Sequence, residues 1–268
     1  LGADILWLMP VHPIGEVNRK GPLGSYYSVK DYTAVNPEFG TLKDLKDVVN
    51  EAHDLGMYVI LDWVANHTAW DHAWITDHPD WYTRDSSGQM IAPFDWTDVA
   101  ELDYSNQEVH DAMIGEMKFW LEEADIDGFR CDVAAEVPLE FWNEARKELD
   151  DVKPVFMLAE AEEPEHHVQA FDMSYAWELH HLMNRIAAGE SNANDLEDYF
   201  IRNDKRFPPD AYRMNFITNH DENSWNGTEY ERMGDAVDVF AMLTFTLPGM
   251  PMIYTGQEAA FDRRLLFF

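Results

Sequence analysis

The chain has 268 residues, of which 46% are hydrophobic and 13% aromatic, enough for a sizeable core and too many for a disordered chain. With 19 Lys and Arg against 51 Asp and Glu, the formal charge is −32, which speaks against nucleic-acid binding and against adhesion to anionic membranes. No apolar run reaches the length of a membrane span, and the single Cys131 excludes an intramolecular disulfide and a cysteine-based zinc site.

Both ends of the sequence are apolar, from Leu1 and to Phe268, and read as cuts through a longer protein. The compartment stays open on that reading, with extracellular, periplasmic and cytoplasmic locations all allowed.

In chain order, the first apolar run is Ile5–Met9, stopped by Pro10. Thr41 to Leu55 then places Leu42, Leu45, Val48, Val49 and Ala52 at helical spacing, and Gly56 ends it. The run Tyr58–Leu61 leads into Asp62-Trp63-Val64. From Thr68 to Ser105 periodicity is weak, and the segment carries Trp70, Trp74, Trp81, Tyr82, Trp96 and Tyr104. So long a structureless loop is unusual in a compact domain, so 68–105 is expected to be an inserted subdomain.

Asn106 to Ala124 is again helical, followed by the run Gly128–Val133. Pro138 opens a helix through Leu149, as a first turn tolerates proline. Further runs lie at Val155–Ala159, Asn215–Ile217 and Met252–Tyr254, with a helix expected over 235–245. Short continuous apolar runs read as strands buried on both faces, which marks a parallel sheet. Their alternation with helices predicts an α/β fold, an incomplete (β/α)8 TIM barrel formed by 1–67 and 106–268.

In such barrels the site gathers at the C-terminal ends of the strands. The polar residues that end each run are therefore the candidates: Asp62 through His67, Arg130 and Asp132, Glu160, and Asn219-His220-Asp221. Alternation puts Arg130 and Asp132 on one strand face and Cys131 on the other, as a small buried hydrophobe. The arginine would hold the Asp132 carboxylate ionised at neutral pH. Paired carboxylates are what a retaining glycosidase needs, one as nucleophile and one as acid/base. His67 and His220 are natural partners of sugar hydroxyls, and Tyr27 can offer a flat face to a pyranose ring. A dinucleotide site is not indicated, since no strand feeds a GxGxxG turn.

DWVANH at 62–67, GFRCDVAAE at 128–136, the glutamate of MLAEAEEP at 157–164 and FITNHD at 216–221 together resemble the ordered sequence regions of the α-amylase family, glycoside hydrolase family 13. GADILWLMP at 2–10, YYSVKDYTAVNPEFGT at 26–41, VAELDY at 99–104 and GMPMIYTGQE at 249–258 are similar to further regions of that family, in the same order. The resemblance implies a (β/α)8 barrel whose first strand, last helix and C-terminal β domain lie outside this chain, with a domain inserted after the third strand. It implies Asp132 as nucleophile, Glu160 as general acid/base and Asp221 as the carboxylate that stabilises the transition state. Arg130 and Asp62 would orient Asp132, and Tyr27, His67 and His220 would line the site.

The implied substrate is an α-1,4-linked glucan or maltooligosaccharide, hydrolysed or passed to another sugar. A binding homologue without catalysis is the alternative from another class. No cofactor is required for the chemistry. A structural calcium ion is common in the resembling family, and Asn66 and Glu101 stand where ligands could be. Ser28 departs from a frequent Asp, and Ala135-Glu136 departs from the Lys-His pair of many α-amylases.

Overall fold

The computed structural model describes residues 2–268, which form two compact units. The first comprises residues 2–160 and 169–171 with residue 268, and the second 161–168 and 172–267.

In chain order the first unit contains β1 (Ile5–Leu8), α1 (Leu42–Asp54), β2 (Tyr58–Trp63), β3 (His67–Ala69), α2 (Trp74–Asp77), β4 (Val99–Glu101), α3 (Gln107–Ala124), β5 (Gly128–Cys131), α4 (Leu139–Asp150) and β6 (Phe156–Ala159). Strands β1, β2, β5 and β6 are parallel neighbours, with Leu8 opposite Leu61, Asp62 opposite Arg130 and Cys131 opposite Ala159. Helix α1 begins in a capping box: Thr41 accepts from the Asp44 backbone and the Asp44 side chain accepts from the Thr41 backbone. It buries Leu45, Val49 and Ala52. Helix α3 buries Val109, Met113, Met117, Trp120, Leu121 and Ala124, and Asp125 closes it with a left-handed φ of 54°.

The stretch 68–105 contains little regular structure. Strands β3 and β4 pair antiparallel, His67 opposite Glu101 and Ala69 opposite Val99. Its tryptophans fix the loops: Trp70 Nε1 donates to Thr97 O at 3.0 Å, and Trp81, stacked on His78, donates to Glu108 at 3.1 Å.

The second unit contains β7 (Met173–Tyr175), α5 (Trp177–Ala187), α6 (Ala193–Arg206), β8 (Tyr212–Asn215), α7 (Glu229–Met233), α8 (Val237–Thr246) and β9 (Met250–Pro251). Strand β8 lies parallel between β7 and β9. The core packs Leu179, Leu182, Met183, Tyr199, Ile217, Met233, Val237 and Phe240. Strand β7 has no apolar run to mark it, because its middle residue is Ser174, a polar side chain that is nevertheless fully buried. The run expected at Asn215–Ile217 pairs earlier, over Tyr212–Asn215, while Phe216 and Ile217 continue as buried backbone beyond the ladder. The run at Met252–Tyr254 likewise pairs at Met250–Pro251. Parallel strands alternating with helices through both units make the fold an incomplete (β/α)8 barrel.

Gly128 opens β5 at φ +153°, and a Cβ there would clash with the Phe156 carbonyl oxygen. Gly128→Ala should therefore separate β5 from β6, and is expected to lower the urea midpoint of the full-length protein sharply or abolish soluble expression.

His12 is buried among the rings of Tyr32, Trp63 and Trp120. Burial lowers its pKa to about 4, and does the same to His67 and His72. Since the unfolded histidine titrates near ~6.5, the unfolded chain takes up protons first as pH falls. The stability each neutral ring contributes is complete above that value and lost on acidification through about pH 4. Comparing urea midpoints of the native protein and His12→Phe across this range, the gap should shrink as pH falls; a constant gap would contradict it.

Candidate active site

Parallel register sets the site of the first unit. Because Asp62 on β2 lies opposite Arg130 on β5, their side chains project on one face of the sheet. Asp62 is fully buried: Oδ1 accepts from Arg130 Nη1 at 2.9 Å, and Oδ2 accepts from Trp7 Nε1 at 3.1 Å and Tyr27 Oη at 3.2 Å. Burial pushes its carboxyl up, against the lowering pull of the Arg130 charge.

Arg130 is also fully buried and serves two further carboxylates. Nη1 reaches Asp132 Oδ1 at 3.0 Å, and Nη2 lies 2.8 Å from Glu160 Oε2. The Trp7 and Tyr27 rings flank the guanidinium, their centroids 5.3 and 5.9 Å from Cζ. Asp132 and Glu160 keep side-chain exposures of 10% and 15%, so they are the members open to a ligand.

The backbone around these carboxylates is turned to suit them. Asp132 N donates to Trp63 O at 2.9 Å, and Glu160 N donates to Cys131 O at 3.1 Å, each one step past its strand. Val133 then adopts φ +37°, a left-handed value that a β-branched residue rarely takes, and its N–H donates to Glu160 Oε2 at 2.8 Å. Cys131 points to the other face, fully buried, and burial pushes its thiol up, which leaves it no role as a nucleophile.

Tyr27 and His67 belong to the same cluster. Tyr27 Oη touches Asp62 as above, and His67 Nε2 donates to Tyr27 O at 3.2 Å, while Asn66 Nδ2 lies 3.2 Å from His67 Nδ1. Both ring nitrogens of His67 thus face protein atoms. Ser28 is buried, its Oγ donating to Asp98 O at 3.1 Å, and Ala135 and Glu136 are exposed in the turn after Asp132. Trp7 was missed as a site residue in the sequence, where its only visible property was membership of an apolar run.

His220 and Asp221 lie in the second unit, after β8. His220 is buried, with Nε2 3.2 Å from Asp221 Oδ2, and the Asp221 side chain is 32% exposed. The charge of Asp221 adds to burial in raising the Tyr254 hydroxyl.

The described residues contain no group of three or more His, Cys, Asp and Glu arranged to hold a metal ion. Asn66 Nδ2 donates to His67 Nδ1, and burial with the charges of Glu136 and Asp103 raises the Glu101 carboxyl. No chemistry is assigned to a metal here.

The family model described as alpha amylase, catalytic domain, matches residues 1–99 and 76–264. The α-amylase MalA of Haloarcula japonica is 29% identical over 96% of this chain and 39% of its own length. The crystal structure of an α-amylase from Lactobacillus plantarum superposes with TM-score 0.91 at 38% identity, covering 99% of this chain and 66% of that one. The noncanonic maltogenic α-amylase AmyB from Thermotoga neapolitana gives 0.92 at 37%, covering 100% and 62%. The chain thus spans well under half of that curated relative and under two thirds of the second solved structure.

Arg130→Met would leave Asp62, Asp132 and Glu160 without their shared cation. Breaking such buried pairs costs about 3–5 kcal/mol. The unfolding midpoint at pH 7 should drop accordingly, and the loss should be smaller near pH 5, below the value of about 6 to which burial raises Asp62. An equal loss at both pH values would contradict this role.

Proposed function

Since the chain belongs to the α-amylase catalytic-domain family, we propose that it carries a retaining glycoside hydrolase site for α-1,4-glucosidic bonds in starch-type glucans or maltooligosaccharides. The observation that supports this best is the single buried guanidinium of Arg130 in contact with both Asp132 and Glu160. A cation shared by two partly open carboxylates keeps them close together, as double displacement requires, and leaves less room for the water of an inverting site.

Asp132 acts as nucleophile. The Arg130 charge favours its ionised form, and its carboxylate attacks the anomeric carbon as the glycosidic bond breaks. Glu160 delivers its proton to the departing glycosidic oxygen. The resulting glycosyl ester is opened by water, whose proton returns to Glu160 while the new hydroxyl takes the α configuration. Asp221 and His220 bind sugar hydroxyls, and Asp221 adds negative charge that stabilises the oxocarbenium-like transition state. Asp62, Tyr27 and His67 hold Arg130 and the floor of the site.

Two measurements on the full-length protein test this. Asp132→Asn should retain the native unfolding midpoint and lower kcat by about 10⁴-fold or more; full activity would refute the assignment. A time course on maltoheptaose, with products sized by chromatography and anomers read by proton NMR, should give short products of initial α configuration. Initial β products would exclude a retaining route, and products longer than seven glucose units would move the activity to transglycosylation.

A further inference from the structure

The segment that carries His220 and Asp221 lies past the last paired residue of β8, Asn215, so no strand ladder fixes it. It runs from Phe216 through Asp221 into a single π-helical turn, Glu222–Asn226, and leaves through Gly227. Such a segment needs another anchor, and Arg232 on α7 supplies one. Its Nη2 donates to Ile217 O at 2.8 Å, its Nε to Gly227 O at 3.0 Å and its Nη1 to Asn184 Oδ1 at 2.8 Å. One side chain therefore ties the backbone before Asp221 to the backbone after it.

Glu222 anchors the middle. Its N–H donates to Asn219 Oδ1 at 2.8 Å, and its Oε1 accepts from Asn226 Nδ2 at 3.0 Å. Oε2 lies 3.2 Å from His180 Nε2 and 3.8 Å from Arg232 Nη1. Burial alone would raise this carboxyl, but the hydrogen bond from His180 and the charges of His180 and Arg232 prevail and bring it to about 2. His180 is itself fully buried, stacked on Phe216 with centroids 4.6 Å apart, and its Nδ1 donates to Phe216 O at 3.2 Å. Glu222 and Arg232 have side-chain exposures of only 9% and 10%, whereas Asp221 has 32%. The chain here turns Glu222 and Arg232 inward and leaves Asp221 partly exposed.

We propose that Arg232 is a positioning residue for Asp221, fixing with Glu222 and His180 the backbone that presents the Asp221 carboxylate to the sugar in the transition state. This rests on the role given to Asp221 above. A guanidinium suits the task because its planar fork reaches two carbonyls and an amide oxygen at once; lysine keeps the charge and loses the fork. Preorganised charge acts in the transition state, so displacement of Asp221 should appear in kcat rather than in KM.

The test is a double-mutant cycle in the full-length protein on maltoheptaose, with Arg232→Lys, Asp221→Asn and the two combined. Arg232→Lys is expected to lower kcat about 10- to 100-fold with KM changed less than about twofold. In the Asp221→Asn background the same change should cost less than about twofold, because nothing remains to be positioned. Glu222→Gln, which keeps the shape and the Asn226 contact, should give the same pattern at smaller size and stands in if Arg232→Lys does not fold. An equal loss in both backgrounds, or native kcat in both Arg232→Lys and Glu222→Gln while Asp221→Asn is inactive, would overturn the proposal. Full activity of Asp221→Asn alone would remove Asp221 from the reaction, and the proposal with it, for a reason that the cycle separates from a failure of Arg232.

Discussion

The candidate site of the first unit depends on one buried cation. Arg130 has no exposed surface, and three carboxylates meet its guanidinium. A guanidinium taken out of water without partners would be strongly destabilising, and so would Asp62 at the same depth. Each justifies the burial of the other, and the strand register that sets Asp62 opposite Arg130 makes the pairing a property of the sheet rather than of a loop. Asp132 and Glu160 then inherit their positions from the same cation. Trp7 and Tyr27 complete the arrangement twice over, by donating to Asp62 and by laying their rings beside the guanidinium.

Much of this was legible in the sequence, for a physical reason. A buried parallel strand is a short apolar run, and the first polar residue after it must leave the sheet at the end where ligands bind. That rule singles out Asp62, Asp132, Glu160 and the segment to Asp221 without any contact information. It fails where a strand carries its own polar residue. Ser174 interrupts β7, and it is buried because its hydroxyl accepts from Arg213 at 2.9 Å and lies 2.7 Å from His167, long-range contacts that no local pattern contains. The apolar run at β8 extends past the ladder because burial continues through Phe216 and Ile217 after the pairing stops. Trp7 was read as core for the same reason that most strand tryptophans are: its indole N–H leaves no trace in periodicity.

His67 is buried, its Nε2 is turned to Tyr27 O, and burial keeps the ring neutral down to about pH 4. A neutral imidazole that donates from Nε2 ties the start of β3 to the Tyr27 backbone. It fixes the backbone of Tyr27 and thereby the hydroxyl that reaches Asp62.

Both sets of candidate carboxylates stand on irregular backbone that side chains hold in place. Val133 sits at φ +37°, a conformation that costs an L-residue roughly 1–2 kcal/mol. A valine is a poor choice for it, and glycine would relieve the strain. What the strained turn gains is direction: it aims the Val133 N–H at Glu160 Oε2, so that the carboxyl at the end of the neighbouring strand β6 is held by Arg130 on one side and by backbone on the other. In the second unit the π-helical turn after Asp221 departs from regular geometry in the same way, and a buried Glu222 with the Arg232 fork holds it. In both cases regular secondary structure ends just before the candidate carboxylate, and ion pairs take over the positioning that hydrogen-bond ladders provide elsewhere. Backbone freed from a ladder can point a carboxylate outward, and a buried counter-charge keeps it pointing there.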